Sequence, residues 1–222
     1  MDWVALWLSL KLGGLTVLLL LPLALAFGRW LAVTRIHGRI FLEAATALPL
    51  VLPPTVVGFY LLVAFGQASW IGSLWRRLLG ESLVFTFEGL LVASLIINIP
   101  FAVQPVQRAF EAIAPELREA AASCGMSWWR ALWKIELPLA WPGLLTGMVL
   151  TFAHTLGEFG VVLMVGGNIP GETRTIAIAI YDRVQAFDDL AAARMSAVLL
   201  LISLGAIALS YGLTQHIGHR RG

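Results

Sequence analysis

Five stretches of the chain stay apolar for long enough to cross a bilayer as helices: roughly Leu10–Leu31, Leu42–Phe65, Gly89–Val106, Leu139–Val165 and Met195–Thr214. About 20 predominantly apolar residues, rising ~1.5 Å each, cover the ~30 Å of hydrocarbon in a membrane. Lipid offers the backbone no hydrogen-bond partners, so helix is the expected form of each stretch. The two-residue alternation of a membrane barrel is missing from these runs. The pattern predicts an all-α integral membrane protein, one transmembrane domain over residues 1–222 with about five spans. The first run starts almost at Met1, has no basic region before it, and outlasts the short core of a signal peptide. It is expected to be retained as a span.

Two of the runs carry internal prolines: Pro49, Pro53 and Pro54 in the second, Pro100 and Pro105 in the third. An interior proline removes a backbone donor and clashes with the preceding turn. The freed carbonyls then need partners in neighbouring helices or a wet cavity. Both spans are therefore expected to be interrupted and to line a pathway. Pro53, Pro54, Thr55, Asn98, Thr151, Thr155 and Glu158 are its candidate lining or gate residues. For each threonine the competing role is a hydrogen bond to its own helix carbonyl. His154 and Glu158 stand four apart and share a helix face, but two ligands do not make a zinc site. Glu158 is expected to be structural or gate-forming, near a helix opened by Gly157 and Gly160.

Between the third and fourth runs the chain turns polar, over residues 107–137. Pro115 suits the first turn of a helix, and Glu116 to Ala122 are strong helix formers. Gly125 permits a turn, and Ser127 can cap a second short helix over Trp128–Lys134. Pro138 then opens the next span, where its missing N–H costs little. Two short helices lying at the membrane surface and joined at a glycine are expected.

Composition supports the membrane assignment: 59% of the 222 residues are hydrophobic and 13% charged, against about 25% charged in a soluble domain. Only two lysines occur, Lys11 and Lys134, and no basic cluster of the kind that binds nucleic acid is present. The lone Cys124 excludes an internal disulfide and a cysteine-rich metal site. Arg29, Arg35, Arg39, Arg108, Arg118, Arg130, Lys134, Arg220 and Arg221 fall on one side of the predicted spans. Lys11, Arg76, Arg77, Arg174, Arg183 and Arg194 fall on the other. By the positive-inside rule the first group is cytoplasmic, with the N-terminus outside and the C-terminus inside. Asp182, Arg183, Asp188, Asp189 and Arg194 are expected in a solvated outer connection. His216 and His219 are too few for a metal site, and Arg220 and Arg221 are expected to act as a cytoplasmic stop.

Glu119-Ala120-Ala121, three residues, Gly125, nine residues, Ile135, one residue, then Leu137-Pro138 resembles the signature loop of ABC importer permeases, with every position filled. The resemblance implies a type I importer permease fold, in which this loop is a coupling helix seated in a groove of a separate ATPase. It implies as partners a second copy of the chain, two ABC ATPase subunits, an extracytoplasmic binding protein and membrane lipid, in the inner membrane of a prokaryote. No phosphate-binding Gly-x4-Gly-Lys-Ser/Thr occurs, since Lys11 precedes Leu12 and Lys134 precedes Ile135. ATP and magnesium are thus expected on the partner, with no cofactor or catalytic residue on this chain.

The stretches Pro49–Gly58, His154–Gly160 and Gly167–Ile176 look like the molybdate permeases of that family, with tungstate and sulfate/thiosulfate permeases as close relatives. The outer loop containing Asn168, Pro170, Gly171, Glu172 and Arg174 is the expected docking surface for the molybdate-binding protein. The alternatives are a membrane enzyme using His154 and Glu158, against which the missing metal-ligand set counts, and an ion-gradient secondary transporter, whose inverted repeats are not found.

Overall fold

The computed structural model describes residues 1–34 and 36–219, with side chains to Gly212. Arg35, Arg220 and Arg221, and the side chains of His216 and His219, lie outside the described residues. The helices are α1 (Trp3–Val33), α2 (Arg39–Val51), α3 (Pro54–Phe65), α4 (Trp70–Leu79), α5 (Phe87–Glu111) and α6 (Pro115–Ser123). There follow α7 (Trp128–Ala131), a π-turn (Leu132–Glu136), α8 (Leu137–Gly157), α9 (Gly160–Gly166), α10 (Ile176–Gln185) and α11 (Asp189–His219).

Helices α1, α5 and α8 form the centre. α1 and α5 run parallel. Leu12 packs with Leu90, Thr16 bonds Ser94, and Leu31 shares a core with Phe110. α8 runs antiparallel to α5, with Gly143 against Pro105 and Ala109, Gly147 against Ala102, and His154 against Asn98. Because α1 and α5 are parallel, the chain between them must recross the membrane. It does so through α2 and α3, which meet at a bend of 108°. Together with the four long apolar helices ending at Val33, Glu111, Gly157 and Gly212 this makes five crossings. α11 packs on α10 and the start of α1, where Met195 shares a core with Ile176, Ala179, Ala5 and Leu6.

The prolines act differently from expectation in one span. Leu52 and Pro53 are both extended, with ψ near 139° and 137°. A residue that precedes proline is pushed out of the helical region, so the consecutive Pro53-Pro54 break the crossing completely. α5, in contrast, runs unbroken through Pro100 and Pro105. Each of these is flanked by helix on both sides, and α8 closes over that stretch with glycine. The fourth crossing is broken instead, where Glu158 is extended (φ −70°, ψ 127°) between α8 and α9. The two breaks adjoin: a Cβ on Gly160 would stand 2.8 Å from Pro54 Cβ, and one on Gly58 2.8 Å from Met164 Cβ.

The polar insert is shorter than the 107–137 expected. Gln107 to Glu111 complete α5, and Trp128 onward is one continuous 30-residue helical rod with α8. No separate surface helix Trp128–Lys134 exists, which leaves residues 112–127 as the insert. Two further elements were not expected. α4 is a short amphipathic helix capped by Ser69, whose hydroxyl accepts from Gly72 N at 2.9 Å, and closed by Gly80 at φ 82°. α10 turns Asp182 and Arg183 into helical residues rather than loop, and Asp188 accepts from Ala191 N at 3.2 Å to start α11.

Close approach of α5 and α8 makes a direct test. A Cβ on Gly143 would lie 2.3 Å from Ala109 Cβ and 2.6 Å from the Pro105 carbonyl. Overpacking of this kind costs about 1–3 kcal/mol. Gly143→Val is therefore expected to lower the melting temperature of the detergent-solubilised protein clearly. Gly205→Ala, at a position open on all sides, is expected not to lower it.

Candidate coupling surface and transport pathway

The insert is built from local chemistry. α6 starts at Pro115 and ends in a Schellman turn, in which Met126 N donates to the Ala121 carbonyl at 3.0 Å and Gly125 N to Ala122 at 2.9 Å. Gly125 holds φ 71°, a left-handed conformation that costs glycine nothing. Ser127 then caps α7, accepting from Arg130 N at 3.4 Å. Glu119, Ala120 and Gly125 are exposed while Ala121 packs inward. A Cβ on Gly125 would meet nothing within 4 Å. Ile135, Leu137 and Pro138 are half-buried in the π-turn and the first turn of α8. Leu137 N bonds the Leu132 carbonyl in the five-residue pattern of a π-turn. The turn sits where Pro138 cannot donate to the fourth carbonyl back and where its ring crowds that carbonyl.

Glu136, inside the same signature, is the residue that sequence reasoning missed. It is 2% exposed and is held by arginines from two other elements. Arg29 of α1 donates through Nε to Oε2 at 2.6 Å and through Nη2 to Oε1 at 3.1 Å. Arg118 of α6 donates through Nε to Oε1 at 3.2 Å, and its Nη2 to the Phe110 carbonyl at the end of α5 at 2.8 Å. Arg29 also lies 5.9 Å over the Trp128 ring. One carboxylate thus ties α6, α1 and the α7–α8 rod, and Arg118 adds α5. A signal was present: Glu136 occupies the row Leu132, Glu136, Ala140, Leu144, every other member of which is a buried hydrophobe.

A second charged cluster joins α2 to α5 at the same end. Arg39 donates to Glu43 at 2.8 Å and pairs with Glu111. Gln107 donates to Glu43 at 2.6 Å and to Glu111 at 3.0 Å. Arg108 reaches Glu111 at 2.9 Å but leaves most of its side chain exposed.

The pathway candidates divide. Pro53, Pro54 and Thr55 are exposed at the α2–α3 break. Asn98 is fully buried in a chain that begins with Thr16 and Ser94, whose hydroxyls are 2.9 Å apart. Asn98 Nδ2 donates to the Ser94 carbonyl at 2.8 Å, and its Oδ1 accepts from His154 Nδ1 at 3.0 Å. The His154 ring stacks on Phe101, centroids 4.0 Å apart. Glu158 lies 3.8 Å from His154 Nε2, and its Oε1 accepts from Val161 N at 2.8 Å, capping α9. Thr155 bonds the Thr151 carbonyl of its own helix at 2.8 Å, the plainer of its two expected roles. Thr151 Oγ1 is buried without a partner among the described residues. The structure thus brings Asn98, His154 and Glu158 together and leaves Thr55 apart at the surface.

At the opposite end, the outer loop is braced from within. Arg174 Nε donates to Asn168 Oδ1 at 2.6 Å, and Asn168 Nδ2 donates to both Asp182 oxygens at 3.0 and 2.9 Å. Pro170, Gly171 and Glu172 form the exposed tip, with Gly171 at φ 81°. Thr173 is buried beneath it, accepting from Ile169 N at 3.1 Å.

The profile of the family described as binding-protein-dependent transport system inner membrane component matches residues 17–221. A molybdenum transport system permease protein from Azotobacter vinelandii is 47% identical over 202 residues, covering 91% of this chain and 89% of its own. Its namesake from Escherichia coli K12 is 36% identical, covering 100% and 97%. Among solved structures, a bacterial alginate ABC transporter in complex with a pentasaccharide-bound periplasmic protein superposes with a TM-score of 0.76. That match is 17% identical and covers 96% of this chain and 78% of its own, a likeness of fold.

Glu136 and Glu119 are 17 positions apart in one signature, yet they should respond oppositely to substitution. Removing one partner of a buried ion pair costs about 3–5 kcal/mol, whereas an exposed change costs within ~0.5 kcal/mol. Glu136→Gln is expected to lower the melting temperature in detergent strongly, and Glu119→Ala to leave it nearly unchanged. Equal shifts would refute the division between a buried clamp and a free surface.

Proposed function

This chain belongs to the family of binding-protein-dependent transport system inner membrane components, and we propose that it forms the transmembrane pathway of a molybdate importer. In this reading two copies enclose the pathway by alternating access. Two ATPase subunits bind the cytoplasmic face, and a molybdate-binding protein docks outside on the Asn168–Arg174 loop. The observation that carries the coupling assignment is the exposed Glu119-Ala120…Gly125 surface, clamped from behind by the Arg118–Glu136–Arg29 triad. Small residues on that surface let a partner's groove approach the backbone. The clamp behind it gives a push on α6 a rigid route into α1 and α8.

The cargo assignment rests on the outer-loop and α3 stretches and on relatives named for molybdenum transport. It agrees with the energetics of the task. Bringing a dianion into an inside-negative cell costs ~2.3 kcal/mol per charge per 100 mV, so about 4.6 kcal/mol before any gradient. A trace oxyanion needs an external energy source at that cost, and ATP on the partner subunit supplies it.

Two measurements check this. In vesicles carrying the permease with its ATPase and binding protein, molybdate uptake should resist a large excess of sulfate. Equal inhibition by sulfate would favour the sulfate-type alternative. Ala120→Trp or Gly125→Arg should lower ATP-driven uptake about tenfold or more, ~1.4 kcal/mol in coupling, through lost ATPase association. Full uptake with the ATPase still bound would remove the coupling role from this surface.

A further inference from the structure

We propose that Gln104 and Arg108 form a transient contact site for the oxyanion in the cytoplasmic half of the pathway. The proposal rests on reading this chain as an oxyanion permease. Gln104 sits in the cytoplasmic third of α5, one turn before Arg108, half-buried, and its carboxamide makes no hydrogen bond to any described residue. An unpartnered amide inside a membrane protein carries a desolvation cost, and an intramembrane polar group is normally paired or faces a wet cavity. Gln104 faces two. One, of about 340 Å³, reaches from Phe101 and Leu150 down to Arg108. The other, of about 350 Å³, lies between α2 and α5 and is lined by Glu43, Ala47 and Gln107. Gln104 and Arg108 line both, and each far exceeds the roughly 30 Å³ share of one water.

Spacing makes the pair a single feature. Phe101, Gln104 and Arg108 follow each other at three and four residues, one stripe along α5. His154 stacks on Phe101 at its upper end. The ligand class follows from the donors. Gln104 offers two amide N–H groups, and the Arg108 guanidinium, 76% exposed, offers a planar fork of which one arm is engaged with Glu111. Guanidinium and amide together match a tetrahedral dianion.

The neighbouring charges explain why such a contact releases its ligand. Glu43 lines the second cavity, Glu111 holds Arg108, and Arg39 pairs with both carboxylates. An arriving dianion competes with Glu111 for Arg108, and Glu111 reclaims the guanidinium as the ligand leaves. The site attracts without trapping, as a pathway requires.

Gln104→Glu and Arg108→Gln test it in vesicles holding the assembled transporter. Gln104→Glu keeps the shape and adds a like charge. Because the capture protein sets half-saturation, the expected change is in turnover. Molybdate uptake per ATP hydrolysed should fall about tenfold, with half-saturating molybdate and ATPase association unchanged. An independent arm places Gln104→Cys in a Cys124→Ser background. An anionic, membrane-impermeant thiol reagent should modify it, and millimolar molybdate, but not chloride, should slow the reaction. Wild-type uptake per ATP in both variants, or an unreactive or unprotected cysteine, would overturn the site while the transport reading stands. A parent complex that carries no tetrahedral oxyanion would overturn both.

Discussion

One buried carboxylate ties the exposed insert helix to the membrane-spanning helices. Glu136 would be costly to bury alone, and it is tolerated because Arg29 and Arg118 donate three hydrogen bonds to it. Those two arginines come from the first crossing and from the exposed insert helix. Their meeting fixes where α6 sits, how the π-turn joins α8, and how the end of α5 is closed through the Phe110 carbonyl. Buried ion pairs add little to net stability compared with well-packed hydrophobes. Their value lies in geometry: only one arrangement of these elements satisfies all three groups. In the proposed coupling role, that uniqueness would matter more than affinity.

The membrane half of the machine follows a different rule. Where the backbone is broken, at Leu52–Pro53 and at Glu158–Phe159, the breaks lie side by side, and Glu158 closes the second by capping α9. Irregular backbone at membrane depth persists only where protein or a wet cavity satisfies it. Packing of two breaks against each other, with Gly58 and Gly160 allowing contact, meets that condition. The helical rod from Trp128 to Gly157 joins the insert end to the second of these breaks.

How much of this was legible in the sequence depended on whether the determining interaction was local. Pro115, Gly125 and Ser127 announced the start, turn and cap of the insert because each acts on its own backbone. The five apolar runs likewise announced the crossings. Pro100 and Pro105 misled because a single interior proline leaves the outcome to tertiary packing, and Gly143 and Gly147 on α8 supply it. α4 and α10 are ten residues each, too short for periodicity to separate from loop, and α10 was hidden among charges. Glu136 escaped because its partners are 107 and 18 residues away. Asn98 and His154 were each noticed, but their bond spans 56 residues and only the fold makes it.

If Glu136 clamps the insert helix, α6 stays one rigid body with α1 and α8. A pair of spin labels on Glu116→Cys and Val33→Cys, with Cys124→Ser and the labelled chain diluted by unlabelled copies, reads that directly in the assembled transporter. A rigid clamp gives one unchanged α6–α1 distance in the nucleotide-free and ATP-bound states, and a broadened distribution once Glu136→Gln is added. A shift of a helical turn (~5 Å) or more between nucleotide states in the otherwise native chain would contradict it.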